Sequence, residues 1–141
     1  MNILITASQA GSANILSLVA ELLRRNKIKT EIIINSNAVN IFLNIFKRDE
    51  FKTAEEAGLS CINPETCKEY LINNQITAIV SGIMGDKNNG LDFNFILAAK
   101  SLKIRSISFL DAWCNYADRL LSIDGKNKFE YLTDTLVLMN N

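Results

Sequence analysis

The stretch NILITASQAGSANILSLVAELLRRNKIKTEIII, residues 2–34, decides the fold class. It begins with a short apolar run at 2–6, which is long enough for a buried strand, and a turn of small residues follows at 7–11. Ser12 is predicted to cap a helix, and the β-branched run at 30–34 is predicted to form a second strand. The apolar positions of that helix are Ile15, Leu18, Val19, Leu22 and Leu23.

The rest of the chain repeats this alternation of strand and helix. The Asn63–Pro64 pair is a strong helix start, and Asp92 is predicted to cap a later helix. Strands that alternate with helices imply right-handed crossovers and a parallel sheet that is covered on both faces. The further strands are predicted at residues 59–62, 76–81, 104–109 and 135–139.

These elements predict one α/β domain over residues 1–141, a three-layer Rossmann-like fold with a mainly parallel sheet in the order 3-2-1-4-5-6. In such a sheet, ligands bind beyond the carboxyl ends of the strands, where strands 1 and 4 diverge. That edge brings together three loops, at residues 7–12, 82–91 and 110–116. The strand side chains expected in the core are Ile3, Ile5, Ile33, Ile79, Val80 and Ile107.

Composition excludes several classes of protein. The 141 residues are 48% hydrophobic and 21% charged, as expected of a folded domain rather than a disordered chain. Fifteen Lys and Arg balance fifteen Asp and Glu, so the chain lacks the basic excess that is typical of nucleic-acid binders. Because it has no histidine, a Ser-His-Asp triad and a His-containing zinc site are excluded. We expect no nucleic-acid partner, no metal and no cofactor.

The cysteines and the first residues indicate a cytoplasmic protein. Cys61, Cys67 and Cys114 are odd in number and lack CxxC spacing, so we interpret them as small core residues rather than a disulfide framework. The first twelve residues have no basic region, and their apolar run is too short for a signal peptide. No window reaches the ~20 apolar residues of a membrane span. We therefore expect a cytoplasmic location and no membrane span.

The first loop at the ligand-binding edge, ASQAGSAN at 7–14, carries one glycine before a helix. Amides at a helix N-terminus can hold anionic or hydroxyl-rich ligands, so Gln9, Gly11 and Ser12 are candidate binding residues. The loop contains neither a G-x-G-x-x-G fingerprint nor a P-loop. The alternative is that Gly11 simply makes the turn.

The second loop, SGIMGDKNNGLD at 81–92, is long and polar for a strand-to-helix connection. Its glycines suit a close approach of the backbone to a ligand, which makes Gly82 and Gly85 candidate binding residues. Asp86 is a candidate catalytic base or a group that binds sugar hydroxyls, and Lys87 is the other chargeable side chain. The alternative is that Asp and Asn are ordinary turn residues here.

The third segment, LDAWCNYADR at 110–119, places a carboxylate and aromatic rings directly after an apolar strand. An aromatic ring beside a carboxylate can hold a sugar. The alternative is an ion pair between Asp111 and Arg119, with the aromatic residues covering the core. The candidate residues are Asp111 as a catalytic acid or base, and Trp113, Asn115 and Tyr116 as ligand-binding residues.

Four stretches together resemble a known family: N-I-L-I-T-A-x-x-x-G-S-A-N at 2–14, V-S-G-x-x-G at 80–85, L-D-x-W-x-N-Y-x-x-R at 110–119 and Y-L-T-D-T-L-V-L-M-N at 131–140. They look like the N-terminal half of GT-B-fold glycosyltransferases and of related sugar-nucleotide 2-epimerase-like proteins in surface-polysaccharide clusters. In such proteins this half faces the acceptor, and the other half holds the nucleotide sugar. The resemblance implies a glycosyltransferase-like acceptor or sugar-binding domain, either a fragment or one subunit of a split enzyme for polysaccharide biosynthesis.

Two other functions stay open. One is a non-catalytic small-molecule-binding or partner-docking module, and the other is a small self-contained enzyme with Asp86 or Asp111 as its acid or base. A domain that faces a second half is expected to expose apolar surface around Leu132, Leu136 and Leu138. We therefore expect a homo-oligomer or a hetero-oligomer, with a nucleotide-sugar-binding subunit as one candidate partner.

Overall fold

A computed structural model describes residues 1–83, 87, 90–110 and 116–138. Within these residues, six strands form one parallel sheet in the order β3-β2-β1-β4-β5-β6, which confirms the predicted Rossmann-like α/β fold. The strands are β1 (Asn2–Ala7), β2 (Lys29–Ile34), β3 (Lys52–Thr53), β4 (Ala78–Gly82), β5 (Arg105–Leu110) and β6 (Thr135–Leu138). The helices are α1 (Ala10–Arg25), α2 (Val39–Phe42), α3 (Pro64–Asn73), α4 (Leu91–Leu102) and α5 (Tyr116–Leu120).

Two apolar clusters hold the helices against the two faces of the sheet. One cluster joins α1 and α2 to β1 and β2, with Leu16 and Phe42 fully buried. The other joins α3 and α4 to the opposite face, with Leu71 and Phe95 fully buried. Because helices cover both faces of the central strands, β1 is buried along its whole length. None of the described helices is both long enough and apolar enough to cross a membrane.

Helix α1 differs from its prediction at its start, and two of its apolar positions are exposed. It begins at Ala10, so Gln9 rather than Ser12 takes the N-cap position, and the Ser12 hydroxyl donates to the Gln9 carbonyl oxygen at 3.1 Å. Leu18 and Leu22, two of the apolar positions at helical spacing, are 57% and 61% exposed. The face of α1 that packs on the sheet consists mostly of small side chains, which let the helix lie close to the sheet. The buried residues of α1 are Ser12, Ala13, Leu16, Ser17 and Ala20.

The third strand lies earlier than predicted. It is the two-residue β3, which pairs with the end of β2, and residues 59–62 form no strand. Gly58, at φ +81°, closes a turn in which the Leu59 N–H donates to the Ala54 carbonyl oxygen at 2.9 Å. This turn directs Leu59 into the apolar cluster below α3 rather than along the sheet edge.

The prediction for Ile107 was wrong, since this side chain is 37% exposed, whereas the other strand residues expected in the core are buried. Along β5, Ser106, Ser108 and Leu110 are buried on the side of α4. Ile107 and Phe109 face the opposite side, where no described helix lies over β5. The period-two pattern was therefore right, but no element in the described ranges covers one face of this strand.

The cysteines differ from one another in burial. Cys67 is fully buried in α3, as predicted, and burial raises the pKa of its thiol to about 12. Cys61 is exposed, so the prediction of a core residue was wrong there, because the turn after Gly58 leaves it at the surface. Cys114 lies outside the described residues. These environments make Cys67 an unreactive packing residue.

Three helix-to-strand connections share one backbone geometry. Helices α1, α3 and α4 are followed by Lys27, Gln75 and Lys103 in the left-handed conformation, at φ 59°, 53° and 55°. In each case an isoleucine comes next, and its N–H donates to the carbonyl oxygen five residues earlier, the bond that closes a Schellman turn. The bonds join Ile28 to Leu23 at 3.0 Å, Ile76 to Leu71 at 2.9 Å and Ile104 to Ala99 at 2.9 Å.

Candidate functional site

A buried polar cluster lies at the carboxyl ends of β1 and β4, where the strand order reverses. Doubly wound sheets bind their ligands at this topological switch point. Helix α1 begins beyond β1 and α4 begins beyond β4, so two helix N-termini meet at the same place. We call the buried residues here the switch-point cluster, and its members are Thr6, Ser8, Ser12, Ser81, Gly82 and Asp92.

Asp92 links the β4–α4 connection to the β1–α1 connection by hydrogen bonds. The Ser8 N–H donates to Asp92 Oδ2 at 3.1 Å, and the Asp92 N–H donates to Ser8 Oγ at 3.3 Å. Asp92 lies in the first turn of α4, while Gly90 takes the N-cap position. The predicted capping role was therefore wrong, because the Asp92 side chain bonds across the sheet to the β1–α1 connection.

The Asp92 carboxyl group is fully buried, and burial raises its pKa to about 7. The neighbouring hydroxyl groups of Thr6, Ser8 and Ser81 and the hydrogen bond from the Ser8 N–H oppose this rise in pKa. In the described part of the structure, Asp92 Oδ1 has no hydrogen-bond partner. A carboxyl group whose pKa is raised toward neutral pH can give or take a proton.

Gly82 is required by the close packing of this cluster. A Cβ atom at Gly82 would lie 2.8 Å from both Cβ and Oγ of Ser12, and 3.0 Å from Asp92 Oδ2. Below it, the hydroxyl oxygens of Thr6 and Ser81 lie 2.8 Å apart and link β1 to β4. The end of β4 therefore passes between α1 and Asp92 with no room for a side chain.

The structure brings two of the predicted binding residues into contact. Ser12 and Gly82 are in contact, although they come from different loops. Gln9 is half-buried at the start of α1, and Gly11 is exposed in its first turn. The other candidates stay predictions because they lie outside the described residues: Gly85, Asp86, Asp111, Trp113, Asn115 and the side chain of Tyr116.

Lys87 joins the second loop to the third segment. Its ammonium group donates to the carbonyl oxygens of Asp118 and Leu121, the latter at 2.6 Å, and lies 5.7 Å from the centre of the Tyr131 ring. These contacts hold Lys87 against the carboxyl end of α5. Arg119 of α5 is half-buried, and its predicted ion pair with Asp111 stays a prediction because Asp111 is outside the described residues.

The sequence analysis did not identify Ser8 as a site residue, and it assigned Asp92 only a capping role. One feature of the sequence does indicate that Asp92 is buried. Asp92 is the acidic residue within LDFNFILAA, residues 91–99, a helix that is otherwise mostly apolar. A carboxylate in such a helix is expected to be buried with a partner. No local pattern indicates that the partner is Ser8, since that residue lies 84 positions away.

Comparisons with protein families and curated proteins add nothing to what the fold and the site show. Across the described ranges, no group of three or more His, Cys, Asp or Glu side chains lies close enough to hold a metal ion. No protein-family model matches the chain, and no curated protein is similar enough to match. The class defined by fold and site is a doubly wound, Rossmann-like α/β domain with a buried polar cluster at its switch point.

Proposed function

We propose that the chain is a glycosyltransferase-like acceptor or sugar-binding domain that holds a hydroxyl-rich ligand over the switch-point cluster. The observation that carries the proposal is the contact among Ser12, Gly82 and Asp92, which fixes the start of α1 against the end of β4. Binding sites are effective when the groups that hold the ligand are locked in place by their neighbours. Here Asp92 also holds the Ser8 N–H, so the whole β1–α1 connection is locked.

The chemistry above the cluster suits a sugar. The first turn of α1 offers backbone N–H donors, and Gly11 leaves them open to a ligand because it has no side chain. Sugar hydroxyl groups accept such bonds and donate to carbonyl or carboxyl oxygens. In this proposal Gln9 and Gly11 contact the ligand, while Asp86 and Asp111 are the acid or base if transfer takes place on this chain or in a split enzyme.

The second candidate is a non-catalytic module of the same fold that docks a partner. The exposed Leu18 and Leu22 on α1 favour it, because exposed apolar patches mark contacts between proteins. The two functions differ in a measurable way. A sugar-binding domain gains stability from a sugar ligand, whereas a docking module gains it from a protein.

A thermal-shift screen with monosaccharides, sugar phosphates, nucleotides and nucleotide sugars tests the proposal. A ligand at ten times its Kd stabilises the native state by about 1.4 kcal/mol, which raises the Tm of a domain of this size by a few degrees. Gly11→Glu puts a bulky acid over the first turn of α1, where an acid also favours the helix. The matched control is Asn14→Glu, which adds the same charge at an exposed position one turn further on.

We expect the wild-type protein and Asn14→Glu to respond to the same ligand, and Gly11→Glu to be at least as stable as the wild type without ligand but to lose the response. The proposal fails if no sugar-containing compound shifts the Tm, or if Gly11→Glu responds like the control. A response only to nucleotides without a sugar preference would also contradict it. Asp111→Asn then tests the third segment, because it keeps the shape of the side chain but removes its charge. If Asp111 binds the ligand, this variant should weaken binding while the Tm of the ligand-free protein stays nearly unchanged.

A further inference from the structure

Helix α1 carries an apolar stripe that does not face its own sheet. The stripe consists of Ile15, Leu18, Val19 and Leu22, which follow one another at helical spacing, and all are exposed or half-buried. The opposite flank of α1 is covered, since Arg24 pairs with Glu50 at 2.9 Å and lies over the Phe46 ring beyond α2. The stripe therefore lies on the flank away from α2, which is the side of β4 and β5.

Beside this stripe, no helix of the described residues covers one face of β5 and β6. Ile107 is exposed and Phe109 is half-buried, and Val137 of β6 lies next to Phe109 in the parallel register. We call these three residues the open strand face. Helix α1 lies over β1, β2 and β4 and ends this layer, and the described helices beyond it pack on the other side of the sheet. The α1 stripe and the open strand face thus form the wall and the floor of one apolar step.

The dimensions of this step match one helix. Two neighbouring strands span about 10 Å, because strands lie about 4.8 Å apart, and this is the width of a helix packed on a sheet. The stretches outside the described ranges are at most five residues long, whereas a helix of three turns needs about eleven residues. None of these stretches is long enough to fill the step as a helix of three turns.

We propose that a second copy of this chain fills the step, in a symmetric dimer that places α1 of each copy on the open strand face of the other. A two-fold axis parallel to the strands, lying in the helix layer beside α1, gives this arrangement. It sets the two α1 helices side by side between the two sheets, so that Leu18 and Leu22 of each copy meet Ile107 and Phe109 of the other. Such an isologous contact buries the α1 stripe and the open strand face of both copies at the same time.

The available area is sufficient for a stable dimer. The stripe and the open strand face together hold seven exposed or half-buried apolar side chains. At about 60 Å² each, they contribute about 400 Å² of the ~800 Å² that each partner buries in a standard interface. Apolar atoms make up about half or more of such interfaces, and polar side chains at the rim supply the rest. This inference does not depend on the proposed sugar site, which lies at the carboxyl edge of the sheet.

The test measures the oligomeric state of the full chain by sedimentation equilibrium or light scattering across micromolar concentrations. Leu18→Lys places a charge at the centre of the contact, and we expect it to weaken the dimer by at least about a hundredfold. Ile107→Glu should do the same from the other side. Ile72→Lys is the control, because Ile72 is also exposed on a helix but lies on α3.

Mixing the two weakened variants is the decisive step. In a mixed dimer, the lysine introduced by one variant would meet the glutamate introduced by the other, while the second contact keeps its native Leu18 and Ile107. We expect the mixture to form a heterodimer although neither variant pairs with itself. If Ile107→Glu is unfolded by circular dichroism, Thr135→Glu replaces it, because Thr135 lies beside Ile107 on the same face of β6.

Three results would overturn the proposal. The wild-type chain could be monomeric at all concentrations, or Leu18→Lys could dimerise as well as Ile72→Lys does. A mixture that stays monomeric would show that the stripe and the open strand face do not meet. If an unrelated protein fills the step instead of a second copy, the two variants would not form a heterodimer when they are mixed.

Discussion

Replacing Asp92 by Asn tests whether this buried carboxyl group makes stability depend on pH. Burial raises the pKa of Asp92 in the folded protein to about 7, whereas the ordinary value is 3.8. Between these two values the folded state holds a proton that the unfolded state has released. The contribution of Asp92 to stability is therefore fully present below about pH 4 and is lost as the pH rises through about 7.

The size of the effect follows from the two pKa values. They differ by about 3 units, and each unit corresponds to 1.36 kcal/mol, so the whole range is about 4 kcal/mol. Between about pH 5 and pH 8, the wild-type protein should lose about 3 kcal/mol of its unfolding free energy. Two other groups titrate outside this window, since Arg48 lowers the pKa of Glu56 to about 2 and burial raises that of Cys67 to about 12.

Urea denaturation followed by far-UV circular dichroism at both pH values measures this loss. Asp92→Asn cannot ionise and keeps an oxygen for the Ser8 N–H, so its unfolding free energy should not fall with pH. At the lower pH it should be less stable than wild type by about 1 kcal/mol, because its NH₂ group replaces an oxygen that has no partner among the described residues. Asp49→Asn, at an exposed carboxylate, should keep the wild-type profile. A wild-type stability that is flat or rises over this range would refute the reasoning.

Three further predictions concern packing and capping, and thermal unfolding measures each of them. Gly82→Ala should destabilise the protein by about 1–3 kcal/mol, because the new methyl group meets Ser12 and Asp92, and a smaller loss would mean that α1 can shift. Asn63→Ala removes the cap bond that its Oδ1 accepts from the Thr66 N–H at 3.0 Å, and should cost about 1 kcal/mol. Leu16→Ala, in the buried face of α1, should cost about 2–5 kcal/mol, and a cost below about 1 kcal/mol would contradict the observed packing.

The order of the strands could be predicted because it depends on local patterns and on the handedness of crossovers. The apolar run of β1 is buried at every position, and the Asn63–Pro64 start of α3 carries its own cap and fixed backbone angle. Neither feature needs a distant partner. The short β3 was missed because two residues give no periodicity, and their pairing depends on where β2 ends.

Burial could be predicted only where the covering layer was also predictable. The alternation in β5 correctly separates its two faces, but whether a face is buried depends on a helix from elsewhere in the chain. Ile107 is exposed for this reason, and Leu18 and Leu22 of α1 are exposed because smaller residues of that helix fit the sheet more closely. A regular pattern of apolar residues thus predicts which side chains lie on the same face of an element, but it does not predict whether another element covers that face.

The candidate site was predictable in position but not in its chemistry. A parallel sheet with this strand order brings the loops after β1 and β4 together, so Ser12 and Gly82 could be assigned to one place before their contact was known. The role of Asp92 could not be assigned, because its partner Ser8 belongs to another element. Asp86, Asp111 and Trp113 stay predictions, since they lie outside the described residues.

The repeated turn at the amino edge of the sheet has a consequence for engineering the protein. Lys27, Gln75 and Lys103 hold a conformation that costs a residue with a side chain about 1 kcal/mol relative to glycine. Glycine at all three positions would raise the thermal tolerance of the chain without touching the carboxyl edge. A scaffold strengthened there could then accept destabilising changes in the loops at the carboxyl edge, so variants of those loops could be selected in a protein that still folds.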